Sequence, residues 1–225
     1  MVFRHILILT LIFLLVSCSN KDKPLYEPSS KVEGYTIYKE GLDAFEKNDY
    51  FFASKKFDQA ELNFSSVDLA AKSALMSSFS LYAINFYDEA IDTLERFITK
   101  YPADKNIMYA NYLICIIYFE QITDEKKDLA PLIKAKEKIS LFIKNFPDTE
   151  YAFDLKFKQD LIENQLAAKE MYVANYYIDT QKWASAIKRL KNILKQYDKT
   201  IFIEEALFRL VEIYYYLGIE EEAVK

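Results

Sequence analysis

Few side chains in this sequence could do covalent or acid–base chemistry, and each has a simpler task close at hand. The only histidine is His5, and the only cysteines are Cys18 and Cys115. Cys18 stands where an apolar run, Ile6 to Val16 broken only by Thr10, gives out behind the basic start at Arg4. That run is shorter than the roughly 20 residues that span a bilayer and has the form of a signal-peptide core. Removal of residues 1–17 would take His5 with it, and with it histidine acid–base chemistry and histidine metal ligation. With the Cys18 thiol taken up by lipid, Cys115 would lack a disulfide partner; within Tyr112-Leu113-Ile114-Cys115-Ile116-Ile117 it reads as a small core residue. Three glycines, Gly34, Gly41 and Gly218, cannot build a phosphate-cradling loop or a dinucleotide fingerprint. Carboxylates are plentiful, so a hydrolase working through an acidic pair stays formally open, yet their spacing is that of solvated helix faces. The expectation is no catalytic residue, no metal site and no cofactor beyond a covalent lipid.

The lipid acceptor is Cys18. Leu15-Val16-Ser17-Cys18 resembles a bacterial lipobox, an aliphatic residue and a small residue leading to the acylated cysteine. Several acyl chains together make a stable anchor where one holds only weakly. In Gram-negative lipoproteins an aspartate after the cysteine usually causes inner-membrane retention, so Ser19 points to the outer membrane. Residues 18–32, with Pro24 and Pro28, read as a lipidated tether. The formal charge of −5 becomes about −6 once Arg4 is lost, and no excess basicity points to nucleic acid.

Whatever the function, helices must position it. Low glycine and proline counts favour long helices, and Leu190, Ile193, Leu194 and Tyr197 fall at i, i+3, i+4 and i+7. The frequent turn signals of a β fold are missing. Ala53, Ala90, Ala135 and Ala186 each precede an apolar residue by four positions: Phe57, Leu94, Ile139 and Leu190. An aromatic stands three positions before three of them, at Tyr50, Tyr87 and Trp183, and Ser65, Pro102, Pro147 and Asp198 follow twelve positions on. Gly41 and Ala174 supply the small position twelve residues earlier in two repeats, and Ala223 renews the pattern after Leu210 and Tyr214. This resembles the tetratricopeptide repeat. Alanine or glycine permits close helix approach, an aromatic fills the gap, and stacked pairs bury what one pair cannot.

The fold expected is therefore all-α, a tetratricopeptide-like solenoid of about five helix pairs, the last incomplete. Residues 33–149 would form about three pairs, with an expanded loop from Gln121 to Ala130. Residues 150–225 would hold the C-terminal repeats behind one helix of about 28 residues, Glu150 to Tyr177, roughly 42 Å long.

From Glu33 to Lys225 the chain resembles the BamD (ComL) family of outer-membrane assembly lipoproteins. The resemblance is carried by Leu94-Glu95-Arg96-Phe97-Ile98 with Tyr101-Pro102, by Tyr109-Ala110-Asn111-Tyr112-Leu113, and by Phe146-Pro147-Asp148-Thr149-Glu150-Tyr151-Ala152-Phe153-Asp154. Glu170 with Tyr176-Tyr177, Trp183-Ala184-Ser185-Ala186-Ile187-Lys188-Arg189, and Glu205-Ala206-Leu207-Phe208-Arg209-Leu210 with Leu217-Gly218 extend it. Departures are Cys115 and Gln181, where the family often has glycine, and Asp198 in place of a closing proline.

The resemblance implies an adaptor of the β-barrel assembly machinery at the periplasmic face of the outer membrane. Its implied partners are the POTRA domains of a BamA-like barrel protein, other assembly lipoproteins and unfolded outer-membrane precursors. Family members hold BamA through their C-terminal repeats, in a contact that includes the arginine matching Arg189. Lys188, Lys191, Lys195 and Lys199 lie on the same helix, so Arg189 with Lys188 and Lys191 reads as a docking face for an acidic surface, or as solvated charge. Tyr38, Phe45, Tyr50 and Phe51 could line a precursor groove or fill the core of the first repeat. The competing function is a different periplasmic repeat lipoprotein serving as a cell-wall or export scaffold.

Overall fold

The structure, a computed structural model, describes residues 29–122, 129–219 and 221. His5, Cys18, the signal segment, the tether as far as residue 28, the centre of the Gln121–Ala130 loop and Ala223 lie outside the described residues.

Among the described residues the chain forms helices and turns, without strands. The helices are α1 (Ser29–Glu46), α2 (Tyr50–Asn63), α3 (Val67–Ala83), α4 (Tyr87–Lys100), α5 (Ile107–Glu120), α6 (Ala130–Asn145), α7 (Glu150–Asp179), α8 (Trp183–Gln196) and α9 (Ile203–Tyr216). Each packs chiefly on its neighbours in the chain, and α5 also touches α7. The pairs α1/α2, α3/α4, α5/α6 and α7/α8 stack as repeats, and α9 opens a fifth.

The repeat register holds at the atomic level. Ala53, Ala90, Ala135 and Ala186 are fully buried, as are Phe57, Leu94, Ile139 and Leu190. A Cβ added at Gly41 would lie 2.9 Å from the Phe57 ring, so α1 and α2 approach too closely there for a larger residue without displacing a buried aromatic. Ala174 is the equivalent fully buried position in α7. Buried Ser73, Ser77, Ser78 and Ser80 keep α3 slim; three of them turn their hydroxyls back onto carbonyls of their own helix, at Leu69, Ala74 and Met76.

The turns inside the pairs repeat as well. Asn48, Asn85 and Gln181 have positive φ, and Gly218 takes the same conformation after α9. After each, one N–H reaches back over the turn: Asp49 to Ala44, Phe86 to Leu81, Lys182 to Tyr177 and Ile219 to Tyr214, at 2.8–3.0 Å. This is the Schellman closure, which satisfies a helix-end carbonyl by placing one residue in the left-handed region. It gives a physical reason for a glycine preference at Gln181. In the first two turns a tyrosine two residues on donates its hydroxyl to the asparagine, Tyr50 to Asn48 at 2.8 Å and Tyr87 to Asn85 at 3.0 Å. The third pair departs from the pattern, since α5 ends at Glu120 and α6 begins only at Ala130, with Pro131 in its first turn.

The long helix α7 runs for 30 residues, roughly 45 Å at 1.5 Å per residue. Thr149 caps it, its hydroxyl accepting the Ala152 N–H at 3.1 Å. Its first half, through Ala152, Leu155, Ile162 and Leu166, belongs to the apolar core of the second and third repeats. Its second half, through Ala167, Met171 and Ala174, belongs to a separate core with α8 and α9. The seam falls between adjacent residues, Leu166 and Ala167, so the buried side turns by about 100° around the helix there. A third, small cluster of Ala44, Ala53 and Phe57 fills the first repeat.

Candidate partner-docking site

Helix α8 carries the basic stripe. Trp183 begins it, packed on Tyr216 of α9 with ring centroids 4.9 Å apart, and its inner face buries Ala186, Leu190 and Ile193. Lys188, Lys191 and Lys195 are exposed along its outside, followed by Lys199 just beyond the helix. Arg189 points elsewhere. One terminal nitrogen of its guanidinium contacts both carboxylate oxygens of Glu170 on α7, at 3.1 and 3.2 Å. The Arg189 side chain is 42% exposed and that of Glu170 17%, so the pair lies at the surface edge of the α7–α8 packing. Lys191 lies over the Tyr214 ring, its ammonium 5.7 Å from the centroid. Structure thus brings Lys188, Lys191 and Lys195 together as an outer face and gives Arg189 a partner within its own repeat.

The four aromatics of the first repeat are not all alike. Tyr38 is half-buried against Phe57 and Phe64. Phe45 stacks edge-on against Tyr50, with centroids 5.1 Å apart, and also touches Phe79. Phe51 is exposed and meets Phe86 from the next repeat at 6.2 Å. Among these four, Phe45 and Tyr50 are the ones in ring contact. A cleft of about 680 Å³ lies between α3 and the α4–α5 turn, lined by Leu69, Leu75 and Met76 with Lys72 and Lys105 at its sides. Lys72 connects this cleft to Tyr38, its ammonium 5.5 Å from the ring centroid.

A buried carboxylate that sequence reading passed over ties the second repeat to the first. The side chain of Glu61 on α2 is 2% exposed. It accepts bonds from Arg96 at 2.6 Å, Lys100 at 2.8 Å and the Tyr101 hydroxyl at 2.7 Å. Burial by itself would raise the Glu61 pKa, but the bonds from Lys100, Arg96 and Tyr101 outweigh it and hold the carboxyl below its ordinary value. The signal in the sequence was positional: Ala53, Phe57, Ala60 and Glu61 share one helix face, so an acid stood where the core register called for an apolar side chain. Elsewhere, too, tyrosine hydroxyls donate to carboxylates across helices, Tyr82 and Tyr87 to Glu120 and Tyr112 to Asp154.

Cys115 is buried, and burial pushes its thiol up to about 12. Among the described residues no three of the metal-binding types converge, and no helix is long and apolar enough to cross a membrane.

The sequence has known relatives. The sequence model of YfiO, described as outer membrane lipoprotein, matches residues 31–225. The chain belongs to the YfiO family. A curated relative, outer membrane protein assembly factor BamD of Caulobacter vibrioides, is 36% identical over 187 residues, which are 83% of this chain and 61% of the relative. The protein of the same name from Rickettsia prowazekii is 34% identical over 190 residues, 84% of this chain and 76% of that one. The chain thus spans less than two thirds of the length of the Caulobacter relative. Among solved structures, one of MamA covers 86% of this chain at 13% identity with a TM-score of 0.40, too loose a superposition to inform the site.

Proposed function

We propose that this chain is a lipid-anchored adaptor of outer-membrane protein assembly, holding a barrel protein at its C-terminal repeats and receiving unfolded precursors at its N-terminal ones. Membership of a family described as outer membrane lipoprotein carries the reading, and the relatives named as assembly factors support it. Cys18 would bear the lipid and keep residues 33–225 at the periplasmic face of the outer membrane. Residues 150–225 would present Lys188 and Lys191 to an acidic patch on the POTRA domains of a BamA-like protein. Arg189, held against Glu170, would fix the angle at which α8 offers that stripe. Residues 33–149 would take the precursor, with the cleft beside Tyr38, walled by Leu69, Leu75 and Met76, supplying apolar contact that the four aromatics do not supply as one surface. Partner charges meeting a rim of lysines govern encounter rate and salt dependence more than the lifetime of the complex.

The test is purification of the intact lipoprotein from detergent-solubilised outer membranes. A POTRA-bearing barrel protein should be recovered with the wild-type chain, and its recovery should fall at least tenfold with Lys188→Glu combined with Lys191→Glu. Circular dichroism must show the variant folded. Undiminished recovery with the folded variant rejects the α8 face, and recovery of no barrel protein with the wild type rejects the adaptor reading.

A further inference from the structure

The seam between α4 and α6 is open. Two adjoining clefts, of about 540 and 320 Å³, share Glu95 and Lys138 and run along it. One wall is α4, which lines the clefts with Asp88, Asp92, Glu95 and Thr99, at i, i+4, i+7 and i+11. The other wall is α6, which presents Lys134 and Lys138 and then the exposed Leu141. The floor between them is α5, where the ammonium groups of Lys134 and Lys138 lie 4.8 and 5.7 Å from the centroid of the Tyr118 ring.

One contact crosses the opening, Lys138 to Glu95 at 3.4 Å. Among the described residues the side chains of Asp88 and Asp92 make no hydrogen bond or ion pair, and Asp88 acts on the Lys134 ammonium only through space. Acids three and four positions apart on one helix face repel each other and weaken the helix. Only Asp88, in the first turn, is offset by the helix dipole. The acidic wall therefore does little for the fold of α4, and a ligand edge of opposite charge would relieve it.

We propose that this groove seats a short amphipathic helix from a partner protein: apolar on its inner face, basic along the edge facing α4 and acidic along the edge facing α6. The stretch from Asp88 to Thr99 is roughly 16 Å long at 1.5 Å per residue, the length of three helical turns; Ile98, Pro131, Leu141 and Phe146 give the groove partly exposed apolar contacts along its sides, and a groove between two helices is the setting for helix-in-groove recognition. The opposite charges of the walls also set direction. Turning the bound helix end for end exchanges its edges and puts like charges together on both sides, so each such helix fits one way only. The surface is separate from the α8 face, and neither depends on the other.

Two fluorescent 14-residue helix-forming peptides test the groove against the full-length chain in detergent. Both have the same leucine face and the same numbers of lysine and glutamate. One segregates lysine and glutamate on opposite edges; the other mixes them on each edge. Anisotropy should show the segregated peptide binding at least tenfold tighter than the mixed one. Asp92→Lys combined with Glu95→Lys should abolish that preference, and adding Lys134→Glu and Lys138→Glu should restore it, because the peptide can then bind in the reverse direction. Circular dichroism must show every variant folded. Equal affinity for the two peptides, or a preference that survives reversal of the α4 wall, overturns the proposal. So does sedimentation showing the chain self-associating through the same charges, which would make a second copy the occupant.

Discussion

Helix α4 has a closed seam on one side and an open one on the other. Towards α2 it sends Arg96 and Lys100, which converge with Tyr101 on the buried Glu61 carboxylate. Towards α6, about a quarter-turn round the same helix, it sends Asp88, Asp92 and Glu95 into a groove crossed by one ion pair. Both faces are charged and both were legible as charged. The difference is the donor geometry opposite each: one buried acid met by three donors seals two repeats together, whereas three exposed acids facing two lysines across a gap leave a channel. Charge pattern alone does not decide whether a repeat surface is mortar or mouth.

The largest effect that would sharpen this contrast concerns the thiol beneath the open seam. Cys115 lines the groove from α5, yet burial pushes its pKa to about 12 from an ordinary 9.0. At pH 8 its thiolate should be about a thousandfold scarcer than that of an unshifted thiol, each unit being a factor of ten. In the Cys18→Ser chain iodoacetamide should therefore label Cys115 at least about a thousandfold more slowly than an exposed thiol. Labelling at the rate of an exposed thiol would show that the groove opens down to its floor.

Next comes the closed seam. Glu61→Ala should cost about 3 kcal/mol by urea denaturation, the low end for breaking a buried ionic cluster, because Arg96 and Lys100 are half-exposed and can return to water. A shift below about 1 kcal/mol would mean that apolar packing, not the carboxylate, closes the seam. The acid range gives an independent check. The folded pKa of Glu61 lies below its ordinary 4.5, so its contribution is fully present above that value and is lost as pH falls through the folded one. The stability gap between wild type and Glu61→Gln should hold steady above about pH 5 and close on further acidification. A gap that persists at pH 2 would contradict this origin.

A substitution in the core face of α4 should fall between these and the groove. Ala90→Leu puts three carbons at a fully buried position and should cost about 1–3 kcal/mol by overpacking. An unchanged midpoint would remove Ala90 from the repeat contacts. The smallest effect belongs to the open seam: Lys138→Ala breaks the 3.4 Å pair with Glu95 and should change stability by no more than about 0.5 kcal/mol, since both groups are partly solvated. A larger loss would mean that the groove is held shut by that pair.

The solenoid was readable because its determinants are local and periodic. Four alanines and the apolar residues four positions after them reported the pairs, and the uninterrupted stretch after Pro147 reported α7. The left-handed turn residues are less plain: Asn48, Asn85 and Gln181 share a register, but only Gln181 stands where a family preference for glycine marks the turn. Neither seam of α4 could be read, because each depends on how far apart two helices stand. Arg189 shows the same limit. Its place on a basic helix was evident, but its partner Glu170 lies on a different helix, and nothing in the spacing of α8 could point to it. The aromatics of the first repeat are ambiguous for another reason, since tyrosine and phenylalanine serve equally as filling and as lining, and only exposure separates Phe51 from Tyr38.

The order of contacts along the chain also bears on how the fold is reached. Apart from the meeting of α5 with α7, each helix packs mainly on the one before and the one after it. Contacts so close in sequence close short loops, and short loops are the fast ones to form. A chain built this way need not wait for its C-terminus: each new pair finds its docking surface already made. The shift of buried face at Leu166–Ala167 then marks a natural pause, where one apolar core is complete and the next begins on the same helix.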